Sequence, residues 1–227
     1  EDSIVKNKID LLILINPNNP TGLCFENSFI ENLSAMFPKL KIIIDESFIH
    51  FIGNLKQWQI FKNDILDLNK NIFFIKSLSK DLGIAGLRIG YLQSNNPVMH
   101  EINSKFGTWV LNNFAVELLN LMSNQNFIDN YEIARKKFLK AKTDFYRELK
   151  KIRSFETFGS ESNFFLIKCK ADVDSGFKSA MKLLIRSGLY IRTMEDKIGL
   201  NKQFFRVASR SKSENEMILK ILSNYEF

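Results

Sequence analysis

The sequence predicts an α/β fold in two parts: a larger domain built on a mostly parallel sheet, residues 1–145, and a small C-terminal α/β domain, residues 146–227. Three observations carry this. Short, continuous apolar runs rich in isoleucine stand at Ile9–Ile15, Lys41–Ile44 and Asn71–Ile75, the pattern of parallel strands buried on both faces. Between the first two runs, Glu26–Phe37 has the period of a helix, which makes a βαβ unit. Turn-forming and acidic residues stand where these strands end, at Asn16–Gly22 and Asp45–Phe48. That is the carboxyl edge, where open α/β sheets bind ligands.

Taken in order, the first run ends in Asn16-Pro-Asn-Asn-Pro-Thr-Gly22, which neither a helix nor a central strand could carry. Read locally, it is either a plain strand-to-helix connection or part of a site. Asp45 and Glu46 follow the second strand. From Pro97 the pattern turns helical, over Val98–Lys105, Asn112–Ser123 and Phe127–Lys151, the last long enough to link two domains. The remainder alternates strand, helix, strand, strand, helix: Asn163–Lys168, Asp174–Ser187, Leu189–Thr193, Gln203–Ala208 and Ser213–Tyr225. A small domain with an antiparallel component follows.

Composition bounds the class. At 227 residues and 45% apolar, the chain can bury a real core. Its net charge of +7 is spread along a sequence also rich in Asn, Ile and Phe. No aromatic-interleaved basic block stands out, so we read codon bias before a nucleic-acid footprint. Cys24 and Cys169 lie far apart without metal or disulfide spacing, so a reducing, cytoplasmic compartment is expected. No signal peptide, repeat period or long apolar run is present. The chain begins at Glu1 almost directly into a strand, as a fragment or processed product would.

The chemistry concentrates in Ile75–Tyr91, IKSLSKDLGIAGLRIGY. Ser77, Ser79 and Lys80 leave a strand end, and Arg88 follows among Gly83, Gly86 and Gly90, too many glycines for one helix. An arginine can grip a phosphate bidentately and hydroxyls can donate to it, which leaves the lysine free for chemistry. The bland reading is a solvated turn with chance basic residues.

This stretch strongly resembles the cofactor-lysine loop of fold-type I enzymes that use pyridoxal 5'-phosphate (PLP), the class I/II aminotransferase superfamily, whose pattern is S/T-x-S-K followed by G-L-R-x-G-Y. The resemblance implies a PLP-dependent transferase-like large domain, with Lys80 bonded to the cofactor and Ser77, Ser79 and Arg88 on its phosphate. Asn16–Gly22 is similar to the family's N-P-x-N-P-T-G, which gives Asn19 to the cofactor 3'-oxygen. Asp45-Glu-Ser-Phe48 resembles D-E-A-Y, which gives Asp45 to the ring nitrogen. A carboxylate there keeps the pyridinium charged and so keeps it an electron sink. One departure stands out: Phe48 replaces a tyrosine that donates to the 3'-oxygen.

The resemblance covers nearly the whole chain but only the later part of a typical member; the glycine-rich phosphate turn and ring-stacking aromatic have no counterpart here. It also implies a homodimer. In the branch that acts on phosphorylated substrates, Arg192, Arg206 and Arg210 are implied anion grips. Against this, Arg192 and Arg206 could be snorkelling strand residues. Asn112, in Thr108–Ala115, is implied near the substrate or is simply a helix cap. His50 and His100 match nothing catalytic and are read as surface or structural. Phe48, the string R-V-A-S-R-S and the strand N-F-F lean toward decarboxylation of an O-phosphorylated amino acid, similar to threonine-phosphate decarboxylase. The runner-up is an aminotransferase similar to histidinol-phosphate aminotransferase, and a non-catalytic PLP-sensing module is the rival from another class. No metal is expected.

Overall fold

The computed structural model describes residues 2–108, 110–170 and 176–225. Trp109 of the Thr108–Ala115 segment, and residues 174 and 175 at the start of the expected helix 174–187, lie outside them. The described chain divides into two compact units. One holds residues 1–18 and 24–131, and the other holds 19–23 and 132–227.

In the first unit, a short helix α1 (Asp2–Lys6) precedes β1 (Leu11–Ile15), α2 (Asn27–Met36), β2 (Lys41–Asp45), α3 (Leu55–Leu68), β3 (Ile72–Ser77) and β4 (Gly90–Gln93). The sheet order is β1-β2-β3-β4, parallel across the first three strands and antiparallel at the last. Isoleucine-rich runs form the parallel core because branched side chains fit a pleated surface packed by helices. Ile42, Ile44, Ile72 and Phe74 are fully buried against Ile30 and Leu33 of α2 and Trp58, Phe61 and Ile65 of α3. Burial on both faces, expected from the apolar runs, holds only in part. Helices α2 and α3 pack on one face, while Leu11, Ile13 and Ile75 on the other are 48, 60 and 43% exposed.

The unit continues through α4 (Val98–Ser104), α5 (Asn113–Met122) and the start of α6 (Gln125–Leu149). Ala115 of α5 is buried beside Leu78 and Ile89, so α5 backs the segment that contains Lys80 and Arg88.

The second unit carries β5 (Phe155–Thr157), β6 (Phe164–Cys169), α7 (Gly176–Ser187), β7 (Arg192–Thr193), β8 (Phe204–Ala208) and α8 (Lys212–Ser223). Its sheet, ordered β5-β6-β8-β7, is antiparallel throughout. Phe165, Ile167, Phe205 and Val207 form the core with Phe145 and Leu149 of α6, Leu183 of α7 and Ile218 and Leu222 of α8. Strand alternation then forces Arg206, between Phe205 and Val207, onto the opposite face. The segment 19–23 joins this unit through Gly22, whose carbonyl accepts from the Glu161 N–H at 2.7 Å. Gly22 has φ +73°, and a Cβ there would stand 2.0 Å from Ser160 Oγ, so glycine is required.

Candidate active site

The ends of β2 and β3 carry the first group of candidates. Asp45 closes β2 opposite Ile75, so its side chain stands on the open face of the sheet. Its Oδ1 accepts from the Ser47 N–H at 2.9 Å. Ser47 ties the two strand ends together, its hydroxyl accepting from the Ser77 N–H at 3.0 Å. The Ser77 hydroxyl then accepts from the Ser79 N–H at 3.3 Å. A line of serines therefore leads from Asp45 to the turn that presents Lys80.

Lys80 is exposed, and its Nζ stands 5.8 Å from the centroid of the buried Phe48 ring. A ring face attracts an ammonium but offers no oxygen to hold it, so the amine stays available for chemistry. Ser79 Oγ is buried with no hydrogen-bond partner. Such a group is costly unless a ligand supplies the partner. Arg88 follows the turn Ala85–Leu87 in the left-handed region, φ 53° and ψ 49°, with Nη1 donating to the Ala85 carbonyl at 3.2 Å. A non-glycine residue held there is strained, and such strain clusters at ligand clamps. An unpartnered hydroxyl, an available amine and an exposed guanidinium on one glycine-permitted segment fit a phosphate-bearing carbonyl cofactor.

The second unit holds another group. Arg206 donates through Nη1 to Asn19 Oδ1 and lies over the Phe164 ring, 4.6 Å from its centroid. With Oδ1 taken, the Asn19 amide nitrogen is the end left to donate. Arg192 is the register partner of Arg206 across β7 and β8, and also pairs with Asp196 at 2.7 Å. Burial first, and then the Arg192 charge, lower the Arg206 pKa. Arg210 is not brought to this pair. It lies beyond β8, donating to Glu214 at 2.7 Å beside the capping box of α8. Asn112 in the first unit caps α5, accepting from the Ala115 N–H at 2.9 Å and donating to the Leu87 carbonyl at 3.0 Å.

Two buried charge networks escaped the sequence reading. Glu46, 1% exposed, follows Asp45 but points into the core. Its carboxylate receives the Lys62 ammonium, Trp58 Nε1 at 2.8 Å and the Tyr91 hydroxyl at 2.8 Å. Burial and then the Glu46 charge push the Tyr91 pKa far above its ordinary value, so this phenol remains a donor. Trp58 and Lys62, four apart on one helix, are the signal that could have pointed to it. The other network centres on Asp81, beside Lys80. Its Oδ2 takes Lys76 Nζ at 3.2 Å, His50 Nδ1 at 3.0 Å and the Tyr131 hydroxyl at 2.9 Å. His50 thus belongs to a part-buried cluster rather than to the surface. Its partners are far apart in the chain, so no spacing marks them.

The chain is similar to proteins of known activity. The chain is 37% identical over 224 residues to an L-serine phosphate decarboxylase of Campylobacter jejuni, covering 96% of this chain and 56% of that protein. The structure of a decarboxylase from Sulfurospirillum multivorans superposes with a TM-score of 0.86 at 32% identity, over 97% of this chain and 62% of that one. A histidinol-phosphate aminotransferase from Clostridium acetobutylicum superposes with a TM-score of 0.85 at 27% identity, over 98% and 66%. The chain thus spans little more than half the length of the curated relative. The family model for aminotransferase class I and II matches residues 1–222. With that match over nearly the whole chain, the chain belongs to the aminotransferase class I and II family.

Proposed function

We propose that the full-length protein is a PLP-dependent enzyme that decarboxylates an O-phosphorylated amino acid, with L-phosphoserine the first candidate. The observation that carries this reading is the Arg192–Arg206 pair. Two guanidiniums share one sheet face, Arg206 has no carboxylate partner among the described residues, and the charge of Arg192 opposes its own. Such a pair calls for a ligand with more than one negative charge, which a phospho-amino acid supplies. The Campylobacter protein's name supports the same substrate class.

When bound, PLP supplies an electron sink for bond breaking at the substrate Cα. Lys80 would hold the cofactor, Ser77, Ser79 and Arg88 would bind its phosphate, Asp45 would keep the proton on the ring nitrogen, and Asn19 would donate to the 3'-oxygen. Arg206 and Arg192 grip the substrate anions and turn the bond to the carboxylate into the position where it breaks. The Cα–carboxylate bond breaks to release carbon dioxide, and the Lys80 amine delivers a proton to Cα. The product is the phosphorylated amine. Arg210 and Asn112, engaged with Glu214 and with the α5 cap, have no part in this reading.

We also infer a homodimer, supported by large apolar side chains exposed on the first unit, Phe106 and Val110 at 58% and Phe114 at 78%. None of the described helices is long and apolar enough to cross a membrane. The reaction is tested with full-length protein, PLP and L-phosphoserine. Carbon dioxide release without any 2-oxo acid is the expected result. A requirement for such an acceptor, with a keto product, would assign an aminotransferase instead.

A further inference from the structure

Lys80 sits in a turn outside the strand ladders, between β3 and the turn Ala85–Leu87, with nothing regular in the backbone to hold it. Its neighbour Asp81 is differently placed. The Asp81 side chain is 4% exposed and turned inward, while the Lys80 side chain is exposed. Asp81 Oδ2 collects three donors from three separate elements: Lys76 from β3, His50 from the turn after Phe48, and Tyr131 from α6. His50 Nδ1 also contacts the Tyr131 hydroxyl, so an N–H there serves both oxygens. Lys76 is itself 2% exposed.

The connections these bonds make have a direction. His50 lies two residues past Phe48 and five past Asp45, so the cluster ties the turn that carries Asp45 and Phe48 to the turn that carries Lys80. Tyr131 fixes the same point to α6. A buried carboxylate with this many donors keeps its charge and its rotamer, because losing any partner leaves the others desolvated. Asp81 has no part in the proposed reaction and touches neither substrate nor cofactor in it.

We propose that Asp81, clamped by Lys76, His50 and Tyr131, is a positioning residue that fixes where the Lys80 amine stands relative to Asp45. This rests on the reading that Lys80 carries the cofactor. The clamp acts through the backbone: Asp81 pins the Cα next to Lys80, and the serine line from Asp45 to Ser79 holds the other side. Displacement of a reacting amine by about an ångström can cost on the order of a hundredfold in rate, so a partial loosening costs about tenfold.

The test uses full-length holoenzyme and L-phosphoserine, comparing Asp81→Asn and Tyr131→Phe with wild type. Borohydride reduction and peptide mapping first place the cofactor in wild type. With the adduct on Lys80, Asp81→Asn is expected to lower kcat about tenfold, leave KM within about twofold, and move the pH midpoint of the visible cofactor band downward as a negative charge is lost. Tyr131→Phe removes one hydroxyl and no charge, so it tests the clamp even if Asp81→Asn does not fold, and a loss in kcat of about threefold is expected. If the folded variants keep wild-type kcat and visible band and lose only melting temperature, Asp81 is a structural partner of Lys76 and the proposal is wrong. An adduct on another lysine would overturn the Lys80 reading and the positioning role with it.

Discussion

Replacing Lys62 by methionine tests the anchor behind Asp45. Lys62 is 9% exposed and Glu46 is 1% exposed, so the perturbation removes a buried cation and leaves a buried carboxylate behind. Two neutral donors remain on that carboxylate, Trp58 Nε1 and the Tyr91 hydroxyl, each at 2.8 Å. They soften the loss without supplying charge. Breaking one side of a buried pair costs about 3–5 kcal/mol, and the surviving donors place the expected value near the lower end, about 3 kcal/mol. For a chain of this size that corresponds to a fall in melting temperature of roughly 6–12 °C. Urea unfolding of Lys62→Met, Glu46→Gln and the double variant measures it. The double variant should recover at least about 1 kcal/mol relative to the sum of the singles, because no unpaired charge is left. A cost below about 1 kcal/mol in Lys62→Met would mean that the pair is solvated rather than a buried anchor behind Asp45.

Other substitutions probe the remaining elements. Gly22→Ala forces a Cβ into a left-handed backbone 2.0 Å from Ser160 Oγ, so a loss of about 2 kcal/mol or more is expected in urea unfolding, partly regained in Gly22→Ala/Ser160→Gly. Arg88→Gly should relieve the strain at φ 53° and gain about 1 kcal/mol of stability while weakening PLP binding, a split that unfolding and cofactor titration measure separately. Burial pushes the Asp81 pKa up, but the His50 hydrogen bond, the Lys76 and His50 charges and the Tyr131 hydrogen bond outweigh it and hold the group at about 2, from an ordinary 3.8. Its contribution, about 2 kcal/mol, is complete above the unfolded value and is lost as pH falls from about 4 toward 2. Asp81→Asn should therefore flatten that part of the stability–pH curve, and a curve parallel to wild type would refute the assignment. Phe48→Tyr restores a donor beside Lys80, so the visible cofactor band should titrate at lower pH.

Much of the first sheet was legible because its signal is local. The runs Ile9–Ile15, Lys41–Ile44 and Asn71–Ile75 contain the observed strands to within a residue or two at their ends, since continuous apolar runs between turn clusters have few other uses. Placing Asp45 and the lysine turn at one sheet edge followed from parallel topology alone. What the sequence withheld is contact across distance. Helix α3 brings Lys62 to Glu46, a meeting hinted at only by the Trp58–Lys62 spacing on one helix face, and α6 brings Tyr131 to Asp81, which no spacing announces. The arginines show the same limit. Arg192 and Arg206 share a face because β7 and β8 pair in one particular register, whereas Arg210, close in sequence, turns to cap-bound Glu214. Exposure on the open face of the first sheet was misjudged for the same reason. An apolar strand tells which faces could be covered, and only packing tells which are.

The measurement that tests the central claim most directly is chemical mapping of the cofactor. Full-length protein is loaded with PLP, reduced with borohydride, digested and sequenced by mass spectrometry. The account predicts one pyridoxyl-modified peptide containing Lys80, with Lys76 and Lys62 unmodified because their ammonium groups are buried in ion pairs with Asp81 and Glu46. Modification of any other lysine, or none, would contradict it.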